Sequence, residues 1–333
     1  MARKRIAING FGRIGRAVFK ILISDKNIDV VAINDLMKPE QIAYLLKYDS
    51  VYGKAENDIG NISYERDKII IGNKKIKIFN EKNPEKLPWK KFNIDVVVEA
   101  TGLFTDKKDA EKHIKAGAKK VAISAPSKNP DITIVPGVND NNLKKSHNII
   151  SAASCTTNCL APVAKVIDDK FGIKKAFMTT IHAYTVSQNI LDGPHKKLRR
   201  GRAAAENIVP TTSGATSAVE KVLPKLKGKL DGLAMRVPVS CGSIVDFVVQ
   251  TKRKTTKQEI NSELKKQSNR RLKGILEYSE DEIVSKDVIG NPHSSIIDSQ
   301  STQVLKDNLV KILAWYDNEY GYSCRLVDIL KKL

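Results

Sequence analysis

The chain has 333 residues, of which 41% are hydrophobic and 28% charged, which favours a globular protein of two domains and excludes the disordered and fibrous classes. Its net charge of +20 comes from lysines spread along the whole chain, so we expect attraction of anionic ligands and weak non-specific nucleic-acid binding, but no dedicated nucleic-acid partner. No stretch approaches the ~20 consecutive apolar residues of a membrane span, and the basic residues 1–5 lead into a strand pattern rather than an export signal.

The first half of the chain alternates between strand and helix patterns. A strand pattern at residues 5–9 is followed by a glycine-rich turn at 10–15, a helix pattern at 16–24 and a second strand pattern at 30–34, which together predict one βαβ unit. Further strand-sized segments lie at residues 69–71, 76–79, 96–100, 121–124 and 149–152. A helix pattern lies among them at residues 106–116. This alternation predicts an α/β fold whose first domain, residues 1–153, is a Rossmann-type, doubly wound parallel sheet.

The pattern changes in the second half of the chain. Its helix and strand patterns lie at residues 156–170 (helix), 176–182, 231–239 and 244–251 (strands). A long polar segment, residues 187–212, lies among them, and a structureless connection of that length is uncommon unless it is functional. We predict an α+β catalytic domain over residues 154–318 with a mostly antiparallel sheet, and a C-terminal helix at about 319–333 that packs back on the first domain.

The glycine turn has the pattern of a dinucleotide-binding site. Gly10, Gly12 and Gly15 form G-x-G-x-x-G after a strand and before a helix, which allows a tight turn, close approach of a pyrophosphate and close helix packing. Free amides at the helix start would receive the phosphate charge. Asp35 ends the second strand 20 residues after Gly15, where its carboxylate would bind the adenosine ribose hydroxyls and repel a 2′-phosphate. We therefore predict NAD rather than NADP, with Asn34 helping to hold the adenosine side.

A cysteine and a histidine are candidates for covalent catalysis. Cys155 lies between a strand pattern and a helix pattern, where the helix dipole and free amides would stabilise a thiolate and lower its pKa from about 8.5. Taken alone, an intracellular cysteine is more often a buried inert thiol, and a strand histidine such as His182 is more often a core residue. The four cysteines lack the spacing of a disulfide framework or a zinc site, so we expect a reducing, cytoplasmic compartment and no metal.

Seven segments, in this order, resemble the phosphorylating glyceraldehyde-3-phosphate dehydrogenase family over almost the whole chain. They are INGFGRIGR (residues 8–16), SAASCTTN (151–158), HAYT (182–185), LDGPHKKLRRGR (191–202), IVPTTSGA (208–215), MRVPV (235–239) and WYDNEYGYS (315–323). The resemblance implies NAD as cofactor and D-glyceraldehyde 3-phosphate and inorganic phosphate as substrates. It also implies a homotetramer, in which residues 187–212 form a loop that reaches the cofactor site of the neighbouring subunit.

The resemblance assigns catalytic and phosphate-binding roles residue by residue. Cys155 matches the nucleophile of the family and His182 its general base, so a thiohemiacetal on Cys155 would become a thioester that phosphate cleaves to an acyl phosphate. The residues that match the inorganic-phosphate side are Ser154, Thr156, Ser213 and Gly214. Those that match the side holding the phosphate of the substrate are Thr185 and Arg236, and arginine suits bidentate phosphate contacts.

The resemblance also assigns cofactor contacts. The matching residues are Arg13, Ile14, Asp35, Lys82, Ser124 and Asn318, with Thr101 and Gly102 nearby. Asn318 would hold the carboxamide of the cofactor and so present one face of the nicotinamide.

Three departures from the commoner bacterial pattern leave alternatives open. Val186-Ser187 stand where Asn-Asp often follows HAYT, Ser213 replaces a usual threonine, and the stretch Ser240-Cys241-Gly242-Ser243 follows MRVPV. Ser213 keeps the hydroxyl, so we expect little effect from it, but the other two departures leave substrate choice open. Erythrose-4-phosphate dehydrogenase, a sibling with the same cofactor turn, cysteine and histidine, is the alternative function. The net charge of +20 leaves a remote alternative, a nucleic-acid-binding protein on the same fold.

Overall fold

The computed structural model describes residues 3–333, which form two compact units. The first unit contains the described residues up to Ile134, together with Asn141–Ala153 and Ser323–Leu333, and the second contains Val135–Asp140 and Ser154–Tyr322. We expected no export signal in residues 1–5. Of these, Met1 and Ala2 lie outside the described residues. The division into an NAD-binding domain at residues 1–153 and a catalytic domain at residues 154–318 stays a prediction.

The first unit is built on a nine-stranded sheet. In chain order its strands, and those of a small separate hairpin (β3, β4), are β1 (Lys4–Asn9), β2 (Ile28–Asn34), β3 (Tyr48–Asp49), β4 (Gly53–Lys54), β5 (Ile62–Glu65), β6 (Lys68–Ile71), β7 (Lys74–Phe79), β8 (Val96–Glu99), β9 (Lys120–Ile123), β10 (Ile132–Thr133) and β11 (Ile149–Ser151). The spatial order is β10-β11-β9-β8-β1-β2-β7-β6-β5, and the pairs from β10 to β7 are parallel. The predicted doubly wound, Rossmann-type parallel sheet is confirmed.

The helices that join these strands are α1 (Arg13–Ile23), α2 (Pro39–Lys47), α3 (Glu56–Ile59) and α4 (Lys107–Lys115). Helix α1 begins before the predicted start at residue 16, because Gly12 is its N-cap and Gly15 lies in its first turn. Strands β6 and β7, which we expected among the parallel strands, pair antiparallel with each other across a turn at Gly72, where φ is +53°. They therefore add an antiparallel edge to the sheet.

A buried polar network lies beneath the carboxyl ends of β1, β2 and β8. The indole N–H of Trp89 can only donate and points at Nδ1 of His113 at 2.9 Å, so His113 carries its proton on Nε2 and donates it to Oε2 of Glu99 at 3.1 Å. Asn9 donates to the same oxygen at 2.6 Å and accepts from Asn34 at 2.7 Å. All five side chains are buried, and the network ties together the strand ends that carry the glycine turn.

The second unit is built on a seven-stranded sheet with helices packed on it. Its elements are α5 (Cys155–Phe171), β12 (Ile173–Ala183), β13 (Val209–Thr212), α6 (Ala215–Val222), β14 (Leu230–Val237), β15 (Ser243–Thr251), α7 (Lys257–Ser268), β16 (Leu276–Ser279), β17 (Ser295–Leu305) and β18 (Leu309–Tyr316). The spatial order is β13-β14-β12-β15-β18-β17-β16, and only β12–β14 and β16–β17 pair in parallel. The predicted mostly antiparallel sheet is confirmed.

The chain ends in helix α8 (Tyr320–Lys332), most of which belongs to the first unit. Within that unit, Nζ of Lys4 donates to the carbonyl oxygen of Leu330 at 2.7 Å, and Lys331 pairs with Asp25 at 2.8 Å. A cation that binds the last carbonyl groups of a helix also interacts favourably with the helix dipole. These contacts attach the last turns of α8 to β1 and to the segment after α1.

The polar segment of residues 187–212 is more ordered than its composition suggests. The N–H of Gly193 donates to the carbonyl oxygen of Gly201 at 2.9 Å, and Leu198–Gly201 form a short 3-10 helix ahead of β13. Hydrogen bonds of this kind join residues that are several positions apart, so no short sequence pattern predicts them.

Replacing Gly15 by alanine is expected to lower the free energy of unfolding by about 1–3 kcal/mol, the usual cost of overpacking. The cause is steric, since an added Cβ would lie 2.1 Å from the carbonyl oxygen of Gly10. Gly12→Ala is the matched control, because its Cβ would meet no atom within 4 Å, and its effect should stay within about 0.5 kcal/mol. Urea denaturation measures both, and equal stability of the two variants would contradict this packing.

Candidate active site

The glycine turn leaves open space at the start of α1. Gly10 has φ +92°, and the N-cap of α1 is Gly12, which has no side chain to cap the helix. A Cβ built on Gly12 would meet no atom within 4 Å. A helix start with positive partial charge and free space beside it suits a phosphate group. The turn therefore fits the pyrophosphate of a dinucleotide.

The predicted cofactor residues of the first unit lie mostly at one edge of its sheet. Asp35 directly follows β2, and its carboxylate accepts hydrogen bonds from the N–H of Phe11 at 2.6 Å and of Met37 at 2.9 Å. The others that follow a strand end are Lys82 (exposed, after β7), Thr101 and Gly102 (after β8) and Ser124 (after β9). Asn318, by contrast, belongs to the second unit. Carboxyl ends of parallel strands are where nucleotides bind in such sheets.

Two further cofactor candidates lie in the first turn of α1. The guanidinium of Arg13 pairs with the carboxylate of Asp49 at 2.8 Å and lies 5.5 Å from the centre of the Tyr52 ring. These contacts hold the arginine side chain in place beside the glycine turn. Ile14 is partly buried at the next position.

The amide of Asn34 is engaged within the protein. It is buried at the end of β2, where Nδ2 donates to Oδ1 of Asn9 at 2.7 Å and to the carbonyl oxygen of Glu81 at 2.9 Å. Its Oδ1 accepts the N–H of Glu81 at 2.9 Å. The amide thus fastens the segment after β7, and a part of Asn34 in holding the adenosine side stays a prediction.

The second unit brings Cys155 and His182 together. Cys155 is the first residue of α5, and the hydroxyl of Ser154 caps this helix by accepting the N–H of Thr157 at 3.0 Å. His182 is 4% exposed near the end of β12. Its Nε2 lies 3.3 Å from Sγ of Cys155, and its Nδ1 lies 2.7 Å from the carbonyl oxygen of Ala183. In the tautomer that carries its proton on Nδ1, this proton is donated to that carbonyl group and Nε2 can accept the thiol proton.

Burial favours the neutral form of both partners. It raises the pKa of the Cys155 thiol, and the opposing effects of the Arg236 charge and of hydrogen bonds at the start of α5 are smaller. Burial lowers the pKa of His182 to about 3, with Arg236 as a second cause. We expected the helix start to lower the pKa of the thiol, and that expectation was wrong because desolvation outweighs it. Burial therefore acts against both charged forms, the thiolate and the imidazolium.

Arg236 completes the surroundings of His182. The parallel pairing of β14 with β12 places the two residues directly opposite each other. Nη1 of Arg236 donates to the carbonyl oxygen of Ala183 at 2.9 Å and also contacts Nδ1 of His182. Its Nε is buried and has no hydrogen-bond partner among residues 3–333. Because a buried N–H without a partner is costly, this guanidinium is suited to bind an anionic group.

The remaining phosphate candidates occupy loops and helix starts of the same unit. The hydroxyl of Ser213 precedes α6 and accepts a backbone N–H of its first turn at 3.2 Å, and Gly214 is the N-cap of that helix. The hydroxyl of Thr185 lies 2.9 Å from that of Ser187, just after β12. Helix α6 packs on α5, the helix that Ser154 caps.

Tyr316 is a site residue that sequence reasoning missed. It is buried, its hydroxyl lies 2.9 Å from that of Thr156 and 2.8 Å from that of Thr180, and its ring meets the His182 ring edge-on at 5.9 Å. The only signal was its place in WYDNEYGYS, two positions before Asn318. The contact also shows that the Thr156 hydroxyl, predicted to line the inorganic-phosphate side, bonds within the core.

A Rossmann-type unit with an open glycine turn, and an α+β unit that pairs a half-buried cysteine with a buried histidine, are features of an NAD-dependent dehydrogenase. Residues 4–107 match the family model for the glyceraldehyde 3-phosphate dehydrogenase NAD binding domain, and residues 154–318 match that for its C-terminal domain. The chain belongs to the glyceraldehyde 3-phosphate dehydrogenase family.

Similar proteins span nearly the whole chain. Glyceraldehyde-3-phosphate dehydrogenase 2 of Streptomyces avermitilis is 55% identical over 327 residues, 98% of this chain and 97% of the relative. Glyceraldehyde-3-phosphate dehydrogenase 2 of Bacillus subtilis is 52% identical over 328 residues, 98% of this chain and 96% of the relative. Glyceraldehyde-3-phosphate dehydrogenase of Geobacillus stearothermophilus is 52% identical over 326 residues, with the same coverage of 98% and 96%.

No helix within residues 3–333 has the length and apolar character needed to cross a bilayer. No cluster of three or more His, Cys, Asp or Glu side chains there is arranged to hold a metal ion, and none of the four cysteines forms a disulfide.

The shifted pKa values predict how Cys155 reacts with iodoacetamide, a neutral alkylating agent. Because burial raises the pKa of the thiol, alkylation should accelerate as the pH rises above neutrality. Because the pKa of His182 is about 3, no step should appear near pH 6.5. Peptide mapping by mass spectrometry over pH 5–10 measures the rate, and a plateau below pH 7 would contradict the direction of the thiol shift.

Replacing Arg236 by leucine should slow the same alkylation, since the positive charge of Arg236 lowers the pKa of the thiol. Arg202→Gln is the matched control, because Arg202 pairs with Asp192 on the surface at 3.0 Å. An unchanged rate in Arg236→Leu, or an equal loss in both variants, would argue against this electrostatic effect.

Proposed function

We propose that this chain catalyses the NAD-dependent oxidation and phosphorylation of D-glyceraldehyde 3-phosphate to 1,3-bisphosphoglycerate, a reaction of glycolysis and gluconeogenesis, in the cytoplasm. The observation that carries the proposal is the 3.3 Å contact between Sγ of Cys155 and Nε2 of His182. Membership of the family and the names of the relatives support the choice of substrate.

The first half of the reaction forms a covalent bond to Cys155. His182 accepts the thiol proton at Nε2 while Sγ attacks the aldehyde carbon, and it returns the proton to the resulting oxyanion to give a thiohemiacetal. The same nitrogen removes this proton again when the hydride leaves the carbon, which produces a thioester. NAD, when bound, supplies the hydride acceptor. A neutral imidazole is the protonation state that this sequence requires at the start.

The second half releases the product. An oxygen of inorganic phosphate attacks the thioester carbon, the C–S bond breaks, and the Cys155 sulfur leaves as a thiolate that regains a proton from His182. A thiolate is a better leaving group than an alkoxide, which is the advantage of cysteine over serine at this position. The site must therefore hold two anionic groups near the sulfur of Cys155, the phosphate of the substrate and inorganic phosphate. Arg236 and Thr185 are proposed for the phosphate of the substrate, and Ser154, Thr156, Ser213 and Gly214 for inorganic phosphate.

A homotetramer is part of the proposal, and the sheet of the second unit supports it. Phe177 of β12 is 67% exposed and Leu233 of β14 is 40% exposed. Leu233 pairs with Thr179, two positions from Phe177, so both apolar side chains point from the same face of the sheet. Exposed apolar side chains on adjacent central strands are typical of a face that another subunit covers.

Replacing Cys155 by serine should lower the rate of NADH formation by about 10³-fold or more, since the sulfur is both nucleophile and leaving group. His182→Asn should lower it by about 10²–10⁴-fold, the usual contribution of a general base. Cys324→Ser is the matched control and should stay close to the wild type. Absorbance at 340 nm with glyceraldehyde 3-phosphate, NAD and phosphate measures all three, and an undiminished rate in Cys155→Ser would overturn the mechanism.

Erythrose 4-phosphate, assayed in parallel with and without inorganic phosphate, tests the choice of substrate. We expect faster turnover of glyceraldehyde 3-phosphate and a strict need for phosphate. Preference for erythrose 4-phosphate, or turnover that is independent of phosphate, would favour the sibling enzyme instead.

Light scattering after size exclusion should give the mass of four chains of 36.9 kDa each. Phe177→Asp should shift this mass toward dimers or monomers, because a buried carboxylate without a partner is strongly disfavoured in an interface. Tyr64→Asp is the matched control, since Tyr64 is 50% exposed on β5 in the first unit. A stable, fully active monomer of the wild-type protein would contradict the proposed homotetramer.

A further inference from the structure

The stretch Ser240-Cys241-Gly242-Ser243, which departs from the commoner pattern, forms a tight turn before β15. Gly242 has φ +87°, and a Cβ at this position would lie 2.2 Å from the carbonyl oxygen of Ser285. Glycine is therefore required here. The flanking residues Cys241 and Ser243 are only 2% and 1% exposed, so the turn directs two polar side chains into the protein.

Both side chains reach consecutive residues after β18. Cys241 donates its S–H to Oδ1 of Asp317 at 3.2 Å. The same oxygen accepts the N–H of Glu319 at 2.9 Å and of Tyr320 at 2.8 Å. Asp317, which is 1% exposed, thereby fixes the backbone on both sides of residue 318.

Ser243 determines which way the amide of Asn318 points. Its Oγ accepts the N–H of Ala183 at 3.1 Å and donates its single hydrogen to Oδ1 of Asn318 at 2.8 Å. The atom of the Asn318 amide that faces Ser243 is Oδ1. The two N–H groups of Nδ2 point elsewhere.

The other half of this amide lacks a partner in the protein. Asn318 is 6% exposed, yet among residues 3–333 its Nδ2 makes no hydrogen bond. Nδ2 is not among the fully buried side-chain atoms without a partner, so it faces open space in which a bound molecule can accept its hydrogens. The direction of the Ser243 bond thus makes Asn318 a donor toward a bound molecule.

We propose that Ser243 is a positioning residue that holds Asn318 with Nδ2 ready to donate to the carboxamide carbonyl oxygen of the nicotinamide. This inference rests on the proposed function, in which Asn318 holds that carboxamide. Loss of the Ser243 hydroxyl releases the amide to rotate, so the nicotinamide ring is no longer restricted to one face. Ser243 also links the backbone next to His182 to the cofactor contact through Ala183.

The first test compares Ser243→Ala with Ser240→Ala, a control at an exposed serine of the same stretch. Ser243→Ala should raise KM for NAD by about tenfold while KM for the aldehyde changes little. With aldehyde deuterated at C1, it should also place deuterium at both C4 positions of the reduced cofactor, as seen by proton NMR. Ser240→Ala should keep both properties of the wild type. Wild-type values in Ser243→Ala would overturn the proposal.

The second test uses the 3-acetylpyridine analogue of NAD, which keeps the carbonyl oxygen but lacks the amide N–H, with the wild-type protein. If Nδ2 donates to the carbonyl oxygen, KM for the analogue should lie within about threefold of KM for NAD. An increase of about tenfold or more would mean that Asn318 instead accepts a hydrogen bond from the carboxamide, which overturns the orientation. A wild-type protein that forms no NADH would instead refute the proposed function.

Discussion

Desolvation of Cys155 and His182 is the constraint on which the rest of this structure depends. Burial raises the pKa of the thiol and lowers that of the imidazole, so it opposes both the thiolate and the imidazolium. Attack of the sulfur on an electrophilic carbon removes the first of these costs, because the sulfur then carries no charge. The positive charge of Arg236 acts to lower the pKa of both groups, because it stabilises a thiolate and disfavours an imidazolium.

The sheet of the second unit is arranged around the end of β12. On one side, the parallel neighbour β14 places Arg236 opposite His182. On the other side, β15 begins with Ser243, whose register partner in β18 is Tyr316, the residue that packs against the His182 ring. A substitution in any of these strand ends therefore acts on the protonation or the orientation of one imidazole. This dependence explains why the buried hydroxyl groups around the site are engaged with one another.

Features that depend on neighbouring residues were predictable from the sequence. The G-x-G-x-x-G turn, the start of α5 at Cys155 and the alternation of strands and helices all follow from local pattern. Non-local features were not predictable. The parallel pairing of β12 with β14, the bond from Trp89 to His113 and the inward-facing amide of Asn34 depend on strands distant in sequence. The direction in which the pKa of the Cys155 thiol shifts likewise depends on burial, which cannot be predicted from a short segment of sequence.

The central claim is that Cys155 carries the acyl group between oxidation and phosphorylation. The most direct measurement mixes the protein rapidly with NAD and glyceraldehyde 3-phosphate in the absence of inorganic phosphate, quenches with acid and maps the peptides by mass spectrometry. The account predicts a burst of about one NADH per chain and an acyl group on the peptide that contains Cys155, removed when phosphate is added. A burst that leaves Cys155 unmodified, or an acyl group on another residue, would contradict it.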